Sequence, residues 1–386
     1  MKNDFLKRIL IISAAVILAV CTFPAGAVRA EEGELSLGGT VLPGGYYYDC
    51  TDGSVTETAP SGGWAYYDGE GTLTLNGYLG PDVYAPFDLT VSVSGSCEIG
   101  EKDYPVLEGI CVENNDLTIE GNGSLNIYFT DEGLDLYQEG TLNVTSGSIR
   151  LICAGKGNND TFVTCGGFSM SGGKLTCESR DGIMIDGISC DGDFDLSGGE
   201  LTVILTADNI NTAGIFCWGD LSISGGKLSI DSRGTGLTAE SLEISGGEHD
   251  IRSGYTAVEV VNGTPVFSGG TTHMAGEEMA INSVRFIEIT NGEYIKENGY
   301  CVQGVYVLIA SLIEPDTDGF WSIFPSSLDP DVTEGAARKL AVKDTTITDR
   351  VDNPDTFHGG YGIVTILATA FALAVMALVL RKRRNA

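Results

Sequence analysis

The side chains best equipped for chemistry crowd one central stretch. Asp181, Asp186, Asp191, Asp193 and Asp195 are the densest acidic group in the repetitive middle of the chain. If the segment is extended, Asp191, Asp193 and Asp195 share one outward face, with Asp181 and Asp186 on flanking turns. Calcium takes about six to eight oxygens, which such carboxylates and nearby backbone carbonyls can supply. Calcium is therefore the expected ion, against a merely solvated acidic face. A paired-carboxylate hydrolase is the remaining alternative. Arg180 beside Asp181 is the one basic residue placed as a uronate lyase would need it.

Sugar recognition calls for flat aromatic rings. Trp218 stands beside Gly219-Asp220, and Tyr255 and Tyr300 each follow a glycine. These three are the expected ligand-binding residues, with gap filling at corners as the plain alternative. The chain has 10 cysteines. Cys153, Cys165, Cys177 and Cys190 follow one another at intervals of 12, 12 and 13. They read as inward apolar fillers, with stacked disulfides or metal ligation as alternatives. The three histidines, His249, His273 and His358, lie at no zinc-type spacing.

The elements that must position these groups come from one recurring phrase. It runs FSMSGGKLTC (168–177), FDLSGGELTV (194–203), LSISGGKLSI (221–230) and LEISGGEHDI (242–251). From Ser146 to Thr290, the residue before the turn glycine recurs at intervals of 25, 26, 27, 21, 23 and 22. Such a period, built from short alternating segments, marks a solenoid whose coils bury their apolar faces against each other. Period-two alternation puts Leu221 and Ile223 inward and Asp220 and Ser222 outward. Three short strands per coil give an all-β right-handed parallel β-helix. The glycines sit at the corner between the first two strands, where at least one position needs positive φ or close backbone approach.

Charge narrows the partners. Residues 31–356 hold 14 basic and 52 acidic side chains, a net of −38. That field repels nucleic acid and anionic lipid. The ends carry separate signals. Residues 1–30, with Lys2, Lys7 and Arg8 before an apolar run, read as a secretory signal peptide. Residues 362–380 are 19 uncharged residues followed by Arg381-Lys382-Arg383-Arg384. They read as a single transmembrane helix with a cytoplasmic tail at 381–386.

Just upstream stands Asn353-Pro354-Asp355-Thr356-Phe357. A Pro-x-Thr pentapeptide, an apolar span and a basic tail together resemble the cell-wall sorting signal of Gram-positive surface proteins. That resemblance implies cleavage after Thr356 by a sortase and linkage to peptidoglycan. Asn353 and Phe357 depart from the commoner form, and a plain single-span anchor is the alternative.

The repeated S-G-G and D-G-I phrases over about 110–305 resemble a family of bacterial secreted right-handed parallel β-helix proteins described as carbohydrate-binding. Asp181-Gly182-Ile183 is the clearest D-G-I copy, while Ala213-Gly214-Ile215 and Thr235-Gly236-Leu237 lack the aspartate. The resemblance implies binding of cellulose or acidic pectic polymers and calcium coordination. The missing aspartates argue against a regular calcium ladder. Residues 62–78 resemble a lead-in segment of clostridial surface proteins.

The expected organisation is a signal peptide at 1–30, an N-terminal cap and first coils at 31–90, and the β-helix at 91–305. A C-terminal cap at 306–325 and a stalk at 326–356 precede the membrane segment. The expected function is non-catalytic binding of a polysaccharide or surface glycan outside the cell, assisted by calcium. The alternatives are an adhesin without sugar preference and a polysaccharide lyase or hydrolase.

Overall fold

The computed structural model describes residues 33–154, 160–179, 183, 185–207, 210–276, 279–283, 287–289, 292–296, 300–303, 306–309, 323–324, 338–342 and 349–352. Its strands form a parallel β-solenoid. Each coil runs through three short strands, and each strand pairs in register with its counterparts on the neighbouring coils. The first sheet contains Leu117–Gly121, Thr141–Val144, Gly167–Met170 and Phe194–Leu196. The second contains Ser148–Cys153, Lys174–Ser179, Glu200–Ile204, Lys227–Ser232 and Glu248–Ser253. The third contains Val106–Val112, Asp160–Cys165, Ile185–Cys190 and Thr256–Val260. Ala213–Ile223 and Thr235–Ile244 run unbroken from the third sheet into the first.

The alternation in sequence becomes ladders of like side chains. On the first sheet Ile119, Val144, Met170, Leu196, Ile223, Ile244 and Phe267 stack coil on coil. All are buried, as are Leu221 and Ile223, while Asp220 faces solvent. Phe168 and Phe194, one coil apart, stack with centroids 4.3 Å apart and planes at 6°. Each buried side chain of this size contributes about 1.5–3 kcal/mol. No single coil could bury its own stripe, so the coils stabilise one another.

The two turn glycines have different jobs. In the turn at 224–226, Gly226 takes φ +74°, which disfavours any residue with a Cβ. Gly225 is needed for stacking, because a Cβ there would stand 2.5 Å from the Ser197 carbonyl oxygen of the previous coil.

At the N-terminal end the parallel stack meets antiparallel strands. Thr72–Asn76 pairs antiparallel with Trp64–Tyr67 and parallel with Leu89–Ser94. Tyr47 lies against Trp64 at 5.2 Å and Tyr66 at 4.6 Å between ring centroids. At the other end Tyr306–Ile309 continues the first sheet. Arg338–Val342 and Asp349–Asp352, inside the segment expected to be a stalk, pair antiparallel with Gly292–Lys296 and Tyr306–Ile309. Strands that close a solenoid edge block its extension by other chains. Among the described residues no helix is long and apolar enough to cross a membrane; residues 362–380 lie outside them.

One expected register needs correction. Asp186-Gly187-Ile188, rather than Asp181-Gly182-Ile183, aligns with Ala213-Gly214-Ile215, since Ile188 pairs with Ile215. The same position holds Glu108-Gly109-Ile110 and Glu132-Gly133-Leu134 on earlier coils. Two D-G-I phrases five residues apart compete for one slot. Packing selects the one whose glycine lies against the next coil, where a Cβ at Gly187 would fall 1.9 Å from the Gly214 carbonyl oxygen.

Candidate functional site

Strand Ala213–Ile223 carries an irregularity at the corner between the third and first sheets. Cys217 pairs with Ala239 and Asp220 pairs with Ser241, so Trp218 and Gly219 together oppose the single residue Glu240. Two residues against one make a β-bulge, which bends the strand and re-aims a side chain. Gly219 permits it: a Cβ there would meet Gly192 and the Asp193 carboxylate at 2.6 Å. The Asp220 amide then donates to Asp193 Oδ1 at 3.0 Å, holding the corner closed.

Trp218 shares the outward parity of Phe216, two residues before it, and at this bulged corner 41% of the residue is exposed. Its ring lies edge-on to Phe216, with centroids 4.8 Å apart and planes at 75°. Phe216 fixes the indole and widens the apolar surface; such a pair contributes about 0.5–1.5 kcal/mol beyond area burial. Polar groups rim it. Half-buried Ser189 and buried Thr238 flank Phe216 on the adjacent coils. Asp191 follows Cys190, the partner of Cys217, and Glu240 opposes the bulge; both are exposed. A flat ring edged by carboxylates can stack on a sugar face while accepting hydrogen bonds from its hydroxyls.

The structure joins Trp218 to Phe216, not to the other expected aromatics. Tyr255 precedes Thr256–Val260, at the opposite end of the third sheet, about 20 Å along the strand direction from the Trp218 corner. Tyr300 begins Tyr300–Gln303, which extends the third sheet further along the stack. Phe216 is missed by sequence reasoning because it sits inside an apolar run. Its outward parity relative to Ile215 and Cys217 was the available signal.

The expected calcium residues are spread out. Asp186 lies on Ile185–Cys190 and accepts the Ala213 amide at 2.9 Å; burial pushes its carboxyl pKa up. Asp191 and Asp193 occupy the corner at 191–193, which is not extended, and Asp195 lies on Phe194–Leu196 between Ser169 and Ser222. Partial desolvation also raises Asp191, although its residue is exposed overall. No three of these four aspartates bring carboxylate oxygens within 4.8 Å of one another. Two already serve backbone amides, so the described four do not fit a shared calcium cage. Arg180, Asp181 and Asn353-Pro354-Asp355-Thr356-Phe357 lie outside the described residues.

A different acidic group does converge. Glu108, Cys111 and Asp135 place ligand atoms within 4.8 Å of one another, the one such group among the described residues. Glu108 pairs with Glu132, and Cys111 with Asp135, on consecutive coils. Thr164 Oγ1 donates to Glu132 Oε1 at 3.1 Å, and the Tyr137 amide donates to Asp135 Oδ1 at 2.9 Å. Burial, then the charge of Asp135 and a hydrogen bond with it, push Glu132 up to about 8. Burial and Asp135 raise Glu108 as well. This group was invisible in sequence because Asp135 joins Glu108 and Cys111 from the next coil.

Residues 81–257 match a family model described as carbohydrate-binding domain-containing protein. That stretch is similar to a carbohydrate-binding domain. It contains the Phe216–Trp218 platform and Tyr255, but not Tyr300. No curated protein and no solved structure matches the chain.

Proposed function

We propose that the protein is a non-catalytic surface solenoid that binds polysaccharide, with Trp218 and Phe216 as the central stacking platform. The observation that carries this reading is the exposed indole of Trp218 at the bulged corner, held edge-on by the outward ring of Phe216. It lies inside the segment similar to carbohydrate-binding domains. Tyr255 and Tyr300 belong to the proposal as outlying contacts, since a polymer that follows a solenoid can touch several coils at once. Calcium enters only as a counter-ion to the stacked acids, Asp191 and Asp193 among them. Glycan-array binding by the full-length protein tests the reading. Trp218→Ala is expected to weaken the bound signal at least tenfold and Phe216→Ala less. Equal binding by wild type and Trp218→Ala would remove the platform from the proposal.

Display outside the cell completes the proposal, with residues 1–30 directing export and 362–380 holding the chain at the membrane. Sortase linkage at Thr356 predicts that Pro354→Ala or Thr356→Ala shifts protein from the wall fraction to the membrane fraction. If wall digestion releases none of the wild type, the membrane span alone is the anchor.

A further inference from the structure

Cys165, Cys190 and Cys217 occupy one inward position on three consecutive coils, Cys165 pairing with Cys190 and Cys190 with Cys217. All three are thiols here and all are buried, at 1%, 0% and 2% exposure. Partner residues on neighbouring parallel strands stand about 4.8 Å apart, within the roughly 4.4–6.8 Å between Cα atoms that a disulfide spans.

The two sides of Cys190 differ. Cys190 Sγ has three carbonyl oxygens within reach of its single proton, those of Asp193 at 3.3 Å, Gly192 at 3.5 Å and Gly166 at 3.7 Å. Cys217 Sγ donates to that same Gly192 oxygen at 3.2 Å. Cys165 Sγ turns instead to the Ser189 carbonyl oxygen at 3.8 Å. The Cys190 and Cys217 sulfurs thus converge on one acceptor, and Cys165 does not share it.

We propose that Cys190 and Cys217 are joined by a disulfide in the exported protein, leaving Cys165 as a thiol. The oxidant is a small or protein disulfide of the extracytoplasmic space. One thiolate attacks it to give a mixed disulfide and expels one thiolate. The second cysteine then displaces the other, so two electrons pass to the oxidant and the two cysteine protons end on its two thiols. The Cys165 thiol and burial, against an opposing effect of Cys217, push Cys190 up to about 12, so little attacking thiolate exists once the coils have closed. The bond forms while the coils are still opening and closing, and thereafter resists reductants that leave the fold intact. Its place gives it a consequence: Cys217 adjoins Trp218 and Cys190 adjoins Asp191, so the link pins the coil step beneath the aromatic platform.

The test is peptide mapping of the full-length protein after refolding with oxidised glutathione, denaturation and alkylation without reduction. The expected result is one cross-linked peptide pair joining Cys190 to Cys217, with Cys165 alkylated. Cys165→Ala should keep the link and Cys190→Ala should lose it. Alkylation of all three cysteines, or a link from Cys190 to Cys165, overturns the proposal. Because the decisive map is made on the wild type, a variant that fails to fold does not leave the matter open. Sugar binding plays no part in this readout.

Discussion

The Thr164 hydroxyl donates a 3.1 Å hydrogen bond to Glu132 on the preceding coil, steadying a carboxyl that burial and Asp135 hold protonated up to a pKa of about 8. Its ordinary value is 4.5. Below pH 4.5 the folded and unfolded chains both carry the proton. Between 4.5 and about 8 only the folded chain keeps it, so stability falls as pH rises through that window. A tenfold difference in proton affinity between the two states corresponds to about 1.4 kcal/mol. The melting temperature is expected to be lower at pH 8.5 than at pH 5.5, and Glu132→Gln should flatten the slope. An unchanged slope in that variant would assign the effect elsewhere.

His249 should act in the opposite direction. It takes the inward place that Leu201 and Leu228 hold on the two preceding coils. Its Nε2 lies 2.8 Å from the Gly246 carbonyl oxygen, which fixes Nε2 as the donor, while buried Nδ1 has no partner. Burial depresses its pKa below 6.5. As pH falls through 6.5 the unfolded chain gains a proton that the folded chain refuses, so stability drops on the acid side. His249→Leu restores the apolar ladder, and a gain of about 1 kcal/mol with loss of the acid-side decline is expected in thermal melts. A decline that persists in His249→Leu would point to another group.

The turn glycines give a paired test of coil stacking. Gly226→Ala forces a side chain into φ +74°, and Gly225→Ala drives a Cβ to 2.5 Å from the Ser197 carbonyl oxygen. Each should cost about 1–3 kcal/mol, Gly226→Ala through its own backbone and Gly225→Ala through the coil below. Serine at 224, exposed at the same turn, is the control: Ser224→Ala should shift the denaturation midpoint much less. Equal midpoints for all three would refute the stacked-turn account.

Calcium has a physical rationale in the charge of the stack. A net of −38 over 31–356, with outer positions repeating about every 4.8 Å, leaves like charges too close for salt to screen fully. An ion that binds only the folded form raises apparent stability. Millimolar calcium is expected to raise the melting temperature of the full-length protein beyond sodium chloride of equal ionic strength. The double variant Asp191→Asn, Asp193→Asn should lose most of that excess. The asparagine side chain at position 193 keeps an oxygen for the Asp220 amide, so the variant changes charge more than structure. No excess over the salt control in the wild type would leave these acids as solvated charge.

Much of the architecture is written in the repeat. Period-two alternation placed Leu221 and Ile223 inside and Asp220 outside, and the glycine pairs marked the corners, because backbone parity and φ are local properties. The buried character of Cys153, Cys165, Cys177 and Cys190 was legible for the same reason. Trp218 could be singled out as a large ring beside a glycine. What depended on register could not be read. Which D-G-I phrase occupies the ladder, that Trp218 and Gly219 oppose one residue, that Phe216 supports the indole and that Cys217 stands above Cys190 are all set by alignment of neighbouring coils. Coil lengths vary from 21 to 27, so spacing alone leaves that alignment undetermined by several residues. The convergence of Asp135 on Glu108 and Cys111 arises in the same way, because only lateral stacking brings the two strands together. Local geometry belongs to the sequence of one coil, whereas contacts between coils are fixed only when all the inward ladders pack at once.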